Sequence, residues 1–217
     1  MRSQSTGTFA DLAAQLADLG RHCYARGWAL GTSGNFSAVV SRRPLRLAIS
    51  ASGVDKGLLT AGDIVEIDEE GTVVGGGGSG TPSAEANLHL TIARARGTGA
   101  GAVLHTHSIW STILSDSATD GGGLAIEGYE MLKGLEGVHT HEHREWLPIL
   151  DNTQDWAAAA PRVEAMLSQN PRGHGFLLRH HGLYTWGRDL AEAKRHVEIL
   201  EFLFEVMGRK RGMTWQP

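Results

Sequence analysis

Two histidines spaced two residues apart are the most informative feature of this sequence for chemistry. His105 and His107 lie at the end of an apolar stretch that begins at Ala102, which predicts a buried strand. Residues two apart on a strand project from the same face, so both imidazoles could bind one cation while Thr106 points away. A catalytic zinc ion commonly takes three protein ligands, so the pair predicts a third ligand elsewhere in the chain.

The candidates for the third ligand are His180 and His181. They follow the apolar run at 175–178 and precede Gly182. A histidine where a buried strand ends at a glycine turn is well placed to enter a site, although a histidine doublet is equally compatible with a solvated turn. The residues alone leave the choice between the two open.

A rival metal site is offered by three alternating histidines that could share one face of an extended segment: His139, His141 and His143. Their charged neighbours Glu142 and Arg144 favour a hydrated segment, and no apolar strand precedes them. By number of histidines this group is the larger one, so it remains an alternative to the site at His105.

Two segments of small and polar residues, 31–35 and 50–56, are candidate anion sites. Small residues let backbone N–H groups approach a phosphate, and Thr, Ser and Asn add side-chain donors. Lys56 could add a positive charge to the second segment. Neither segment matches a P-loop or a dinucleotide fingerprint. Ser83 is a third candidate, because Thr81 and Pro82 predict the start of a helix whose N-terminus would present free N–H groups. Ordinary turns are the alternative interpretation of both segments.

Two glutamates are candidate acid/base groups. Glu85 is predicted in the first turn of the helix that begins at Thr81, where a carboxylate also simply favours the helix dipole. Glu130 could equally form a surface pair with Lys133. Neither residue taken alone indicates catalysis.

Helical and strand-like sequence patterns alternate along the chain. The helices and strands that they predict must position these residues. They predict an α/β fold, a three-layer α/β/α sandwich with a largely antiparallel central sheet, in one domain over residues 1–217. The predicted helices are 9–27, 81–97 and 189–208; the predicted strands are 47–50, 64–67, 102–106, 146–150, 176–179 and 183–186; glycine-rich loops are expected at 73–80 and 121–123.

Composition narrows the partners and the compartment. A net charge of -4 gives no general attraction to nucleic acid or anionic membranes, so an anionic ligand must be held by a local site. The single cysteine, Cys23, excludes an internal disulfide, and the polar start of the chain contains no apolar targeting or membrane segment. The expectation is a cytoplasmic protein with no nucleic-acid or membrane partner.

Taken together and in order, these motifs resemble the class II aldolase/adducin superfamily. The segments that carry the resemblance are Gly31–Ser37, Ser50–Gly53, Thr81–Glu85, His105–Ser108 and His181–Gly182, which span nearly the whole chain. The resemblance implies that the zinc ligands are His105, His107 and His181, with about one zinc ion per chain, and that Glu85 is the acid beside the metal. It implies that the substrate phosphate is held by Thr32, Asn35, Ser52, Gly53 and Ser83. It also implies a homotetramer with active sites near subunit boundaries.

Three further stretches resemble a dehydratase branch of this superfamily: Tyr129–Leu135, Leu147–Thr153 and Arg179–Gly187. This likeness implies Glu130 as the catalytic acid/base and a small phosphorylated ketose, 5-methylthioribulose 1-phosphate of methionine salvage, as the substrate. It also places the histidines at 139–143 in a loop or strand near the site. The alternatives are a class II sugar-phosphate aldolase, a pentulose-phosphate epimerase, or a non-enzymatic interaction module like the adducin head. The presence of all three histidines and both acids argues against the last.

Overall fold

The structure is a computed structural model that describes residues 8–77, 80–116 and 122–212, without the side chain of Arg211. Its α-helices are α1 (Phe9–Ala25), α2 (Ala86–Arg96), α3 (Ile109–Ser115), α4 (Trp156–Gln169) and α5 (Leu190–Gly212). Its strands are β1 (Asn35–Arg42), β2 (Leu45–Ser50), β3 (Ile64–Ile67), β4 (Val73–Gly76), β5 (Ala102–Thr106), β6 (Gly123–Glu127), β7 (Arg144–Leu150), β8 (Gly175–Leu178) and β9 (Gly182–Gly187). Among these residues, no helix is long and apolar enough to span a membrane.

One sheet carries all nine strands in the order β4-β3-β2-β1-β5-β9-β8-β7-β6. Every neighbouring pair is antiparallel except β7 and β8, which are parallel. The predicted α/β class with a largely antiparallel sheet is therefore confirmed.

The two faces of the sheet bury different helices, as strand alternation requires. On one face, Leu104 and Leu183 pack in a core shared with α1 and α5. On the other face, Val103 and Tyr184 pack against α2 and α4. The sheet thus lies between two helical layers, and each residue of β5 faces one layer or the other.

Two predicted helix boundaries were wrong, because long-range contacts compete with the local pattern at both positions. The predicted helix start at Thr81–Pro82 lies in extended backbone, since Ser52 N–H donates to Thr81 O at 2.9 Å and Ala51 pairs with Pro82. Consequently α2 begins at Ala86. The predicted helix end at Gly208 lies inside α5, which continues to Gly212. The indole ring of Trp110 packs against the helix at Gly208, where a Cβ would lie 2.1 Å from the ring.

Two predicted loops contain strands. Val73–Gly76 forms the edge strand β4 against β3, and Gly123 begins β6. Residues 78, 79 and 121 of these predicted loops lie outside the described residues. The sequence analysis also predicted no strand at β1, whose first residue, Asn35, was interpreted as part of an anion site. The helix start at Asp189 is confirmed, since its Oδ1 accepts Glu192 N–H at 2.8 Å.

Candidate metal centre

The histidine pair on β5 has the predicted arrangement. His105 is fully buried in the α2–α4 layer, and its Nδ1 donates to Leu183 O across β9 at 2.9 Å. That bond places the proton on Nδ1 and leaves the Nε2 lone pair free to bind a cation. His107 follows the end of β5, where its backbone N–H donates to Trp28 O at 2.7 Å. Thr106 points to the opposite face, where it donates to Glu201 at 2.8 Å.

His181, rather than His180, completes the group. It lies in the turn between β8 and β9, and its Nδ1 donates to Asn152 Oδ1 at 3.0 Å, which again frees Nε2. His180 has a positive φ of 53° and turns outward to Asp116, 3.0 Å from its Oδ1. Gly182 allows the close approach of β5, since a Cβ there would lie 1.9 Å from Thr106 O.

The three Nε2 atoms converge on one point. They are separated by 2.7 Å for His105 and His107, 3.1 Å for His107 and His181, and 3.3 Å for His105 and His181. Nitrogens bound to one tetrahedral zinc ion lie about 3.3 Å apart, given Zn–N bonds of about 2.0 to 2.1 Å. Three lone pairs that face one another could bind one cation, and imidazole nitrogens are ligands that suit zinc.

Burial keeps two of these imidazoles, His105 and His107, uncharged, as metal binding requires. Burial lowers the pKa of His105 well below its usual value. Burial, together with the charge of His181, lowers the pKa of His107 to about 4. Both rings therefore present neutral nitrogens at physiological pH.

Glu85 is the fourth member of the group. Its Oε1 lies 3.2 Å from His181 Nε2 and its Oε2 lies 3.5 Å from His105 Nε2, and all four ligand atoms lie within 4.8 Å of one another. Burial would raise the pKa of this carboxyl, but the contacts with His181, His105 and Asn35 outweigh burial and hold its pKa well below the usual range. Glu85 precedes the first residue of α2 and is an ionised carboxylate beside the metal centre.

The candidate anion segments lie side by side. Lys56 is buried and ties the first two together, since its Nζ donates to Thr32 O at 3.1 Å and to Val54 O at 2.9 Å. The backbone bond from Ser52 to Thr81 joins the third. Thr32, Ser52 and Gly53 are exposed, and Ser83 is half-buried. Asn35 differs, because its amide already donates to Glu85 Oε2 at 2.6 Å and to Ser83 Oγ at 3.2 Å.

Glu130 does not join the group within one chain. Its side chain is 72% exposed, its Oε1 accepts from Lys133 at 2.7 Å, and that bond lowers its pKa. It follows β6, which lies four strands from β5, an offset of roughly 19 Å at about 4.8 Å per strand. It also lies beyond the Arg144 end of β7, whereas the Leu150 end of that strand leads to Asn152 and the histidines.

The rival histidines do not converge. His139 and His141 are exposed, and His141 lies 3.8 Å from Glu130 Oε2. His143 donates to Glu145 at 2.8 Å. Across residues 8–77, 80–116 and 122–212, Glu85 with His105, His107 and His181 is the only group of three or more potential ligands that could hold a metal ion.

Residues 14–207 match the family model described as Class II Aldolase and Adducin N-terminal domain. The chain belongs to the class II aldolase and adducin family.

Relatives within this family share both sequence and fold with the chain. The chain is 43% identical over 197 residues to the methylthioribulose-1-phosphate dehydratase of Marinobacter nauticus, covering 91% of this chain and 92% of the relative. It is 42% identical over 214 residues to the protein of the same name from Sorangium cellulosum, covering 99% of each. An L-fuculose-1-phosphate aldolase structure from Thermus thermophilus superposes with a TM-score of 0.73 at 25% identity, covering 97% of this chain and 100% of that one.

Sequence reasoning missed three residues that shape this centre. Asn152 orients His181, His89 bonds Asn35, and Tyr184 stacks on His105 with ring centroids 4.0 Å apart and an interplanar angle of 12°. The alternation of β9 could have placed Tyr184 on the histidine face. No local pattern indicates that Asn152 reaches His181, because their strands meet only in the folded sheet.

Proposed function

We propose that this chain is a zinc-dependent hydro-lyase that converts 5-methylthioribulose 1-phosphate to 2,3-diketo-5-methylthiopentyl 1-phosphate in methionine salvage. The convergence of the Nε2 atoms of His105, His107 and His181 beside the Glu85 carboxylate is the observation that carries the proposal. The relatives named methylthioribulose-1-phosphate dehydratase, at 42–43% identity over most of the chain, support the choice of substrate. In this proposal the chain acts as a single cytoplasmic domain.

His105, His107 and His181 would hold the zinc ion and leave one position for substrate. When bound, zinc supplies Lewis-acid polarisation of the substrate's C2 ketone, which acidifies the C3 proton. A carboxylate of the enzyme removes that proton, and a carboxylic acid returns a proton to the C4 hydroxyl as water leaves. The resulting enol then becomes the 2,3-diketone. General acid–base steps of this kind contribute about 10² to 10⁴ in rate.

We assign the proton transfers to Glu130, supplied by a neighbouring subunit of a homotetramer. Within one chain Glu130 lies at the opposite end of β7 from the histidines, and its carboxylate is exposed, so it is free to enter another subunit's site. Ring-forming contacts between unlike surfaces bring distant parts of identical chains together in this way. Glu85 then supports the metal centre rather than transferring the proton.

The phosphate would bind over the three adjoining anion segments. Thr32, Ser52, Gly53 and Ser83 offer exposed or half-buried hydroxyl and backbone donors on one side of the centre. Asn35 was predicted to belong to this set, but its amide hydrogens already serve Glu85 and Ser83, so the proposal gives it a different role.

A class II aldolase is the second candidate, and one observation favours it. Glu85 is the acid that lies beside the histidines within the chain, whereas Glu130 does not. An aldolase would break C3–C4 from a similar enediolate, so the metal and phosphate sites alone do not separate the two reactions.

The deciding experiment incubates the zinc-loaded protein with 5-methylthioribulose 1-phosphate and, separately, with dihydroxyacetone phosphate plus an aldehyde. Water loss from the first substrate with no carbon–carbon bond formation from the second is the expected result. Aldol product without dehydration would establish the second candidate instead. Activity from neither, with zinc bound, would contradict both.

A further inference from the structure

A buried chain of side chains leads from the metal centre into the core. Glu85 Oε2 accepts from Asn35 Nδ2 at 2.6 Å, Asn35 Oδ1 contacts His89 Nε2 at 2.5 Å, and His89 Nδ1 contacts Ser37 Oγ at 2.7 Å. His89 is fully buried, and Ser37 and Asn35 are only 1% and 4% exposed. The four residues therefore interact with one another rather than with solvent.

Two secondary-structure elements present these residues as matched pairs. Glu85 and His89 are four residues apart at the start of α2, so they lie on the same face of the helix. Asn35 and Ser37 are two residues apart on β1, so they project from the same face of the sheet. The two pairs interlock where α2 crosses β1.

The chemistry of the groups fixes the direction of every hydrogen bond. Asn35 Nδ2 donates to Glu85 Oε2 at 2.6 Å and to Ser83 Oγ at 3.2 Å, so the NH₂ group of Asn35 faces the carboxylate. Asn35 Oδ1 then faces His89 and accepts from its Nε2–H. A neutral imidazole that donates from Nε2 accepts at Nδ1, so the Ser37 hydroxyl donates there.

We propose that His89 is a positioning residue for the metal centre: by donating from Nε2 to Asn35, it fixes the orientation of the Asn35 amide and thereby aims the Glu85 carboxylate at His181. Without that donor, Asn35 could turn its oxygen toward Glu85, where two acceptors would repel. Asn35 therefore serves Glu85 and not the phosphate. The kinetic part of this inference rests on the proposed function.

A matched pair of substitutions separates the two nitrogens of His89. His89→Gln carries its amide to the place of Nε2 and keeps a donor for Asn35, whereas His89→Asn carries its amide only to the place of Nδ1 and keeps the contact with Ser37. We expect His89→Gln to retain kcat within about threefold and His89→Asn to lose at least about tenfold in kcat, with KM and zinc content little changed, because orientation acts on the reaction step. Equal losses in both variants, or none in either, would overturn the proposal.

A spectroscopic measurement tests the proposal without turnover and needs only His89→Gln, the variant that we expect to remain folded and active. The ¹⁵N spectrum of histidine-labelled, zinc-loaded protein should contain a neutral ring protonated at Nε2, with Nδ1 unprotonated at pH 7, assigned to His89 by its loss in His89→Gln. A His89 ring protonated at Nδ1 alone, or at both nitrogens, would contradict the proposed direction. Because this result needs no substrate, it stays informative even if the wild-type protein fails to dehydrate 5-methylthioribulose 1-phosphate.

Discussion

The strands of the central sheet have two opposite ends, and at each end a buried glutamate lies among histidines. Only one of these two ends has the properties of a metal site. At one end Glu85 lies beside His105, His107 and His181; at the other, Glu145 accepts from His143 at 2.8 Å and from His174 at 3.0 Å. Both glutamates are buried. Residue type and burial therefore do not distinguish the two ends.

The difference lies in what the ring nitrogens face. At the metal centre the Nε2 lone pairs point at one another, and the Nδ1 atoms of His105 and His181 hold the protons. At the other end His174 donates from both nitrogens, to Glu145 and to Glu136 O at 2.9 Å, which is the bonding of an imidazolium. The histidines at the first end could hold a metal ion, whereas His174 at the second end is placed to carry a proton on each ring nitrogen.

The pKa shifts reflect the same contrast. Burial lowers the pKa of His105 and His107, which stay neutral. Burial also opposes charge on His174, but its hydrogen bond and ion pair with Glu145 outweigh burial and raise its pKa. A cavity of about 710 Å³ adjoins Glu145 and His174, so the presence of a cavity does not by itself mark a metal site.

The largest expected effect comes from removing one converging nitrogen. His107→Ala should lose the bound zinc and at least about 10³-fold in activity, because a site with two histidines left no longer holds the Lewis acid that contributes several kcal/mol. Zinc per chain and turnover are the measurements. His143→Ala and His141→Ala are the controls and should keep zinc near one per chain; metal that survived in His107→Ala but vanished in His141→Ala would place the site at the rival histidines.

The two carboxylates offer the next contrast. Glu130→Gln should keep zinc and phosphate affinity but lower kcat by about 10² or more, since an amide cannot cycle a proton. Glu85→Gln should disturb the surroundings of the metal, so that substrate affinity and rate fall together. Steady-state kinetics with zinc analysis separates them. Near-normal dehydration by Glu130→Gln, with none by zinc-loaded Glu85→Gln, would exchange their roles.

At the other end the expected effect is on stability alone. Glu145→Gln should lower the free energy of unfolding by about 3 kcal/mol, because it leaves a buried charge on His174 unpaired, while zinc content stays the same. Denaturant unfolding at pH 6 measures this change. Zinc loss in Glu145→Gln would mean that the two ends are not independent.

The pH dependence of that loss follows from the two shifts. The lowered pKa of Glu145 stabilises the fold at pH values above the ordinary carboxyl pKa of 4.5, and this stabilisation is lost in acid. The raised pKa of His174 stabilises the fold at pH values below the ordinary imidazole pKa of 6.5, and this stabilisation is lost as the pH rises through the raised pKa. The difference between wild type and Glu145→Gln should therefore be largest between pH 4.5 and 6.5. A difference that is flat from pH 4 to 9 would show that no charged pair exists there.

The smallest expected effect concerns Glu201, which lies on the face of β5 opposite His105. Burial raises the pKa of Glu201, which accepts from Thr106, to about 7. A carboxyl whose pKa is raised in the folded state adds stability below its ordinary value of 4.5 that is lost as pH rises to about 7. Wild type should lose about 2 kcal/mol between pH 5 and 7 relative to Glu201→Gln, at about 1.4 kcal/mol per pH unit. Glu205→Gln, a surface substitution, should follow wild type; parallel profiles for all three proteins would contradict the raised pKa.

Strand periodicity was enough to predict the histidine pair and the opposite direction of Thr106. The apolar strand before Gly182 limited the third candidate to two adjacent residues, and the family resemblance implied His181. The structure agrees with that choice, because His180 has a positive φ and its side chain turns outward to Asp116. The start of α2 was mispredicted because Pro82 is held in extended backbone by a residue 31 positions earlier, Ala51. A local pattern contains no information about such a partner.

The place of Glu130 illustrates a second limit. The residues around Glu130 carry the family resemblance that indicated it as a catalytic residue. Its distance from the histidines follows from the order of the strands, in which β6 forms one edge and β5 lies near the middle. Strand order depends on long-range pairing, so sequence alone predicted the residue and not its separation from the site.

The most direct test of the central claim is zinc-edge anomalous diffraction from crystals of the protein loaded with about one zinc ion per chain. We expect a single strong anomalous peak per chain, about 2.0 to 2.1 Å from Nε2 of His105, His107 and His181, with no peak beside His143 or His174. A peak at the Glu145 end, or no peak among the three converging nitrogens, would contradict it.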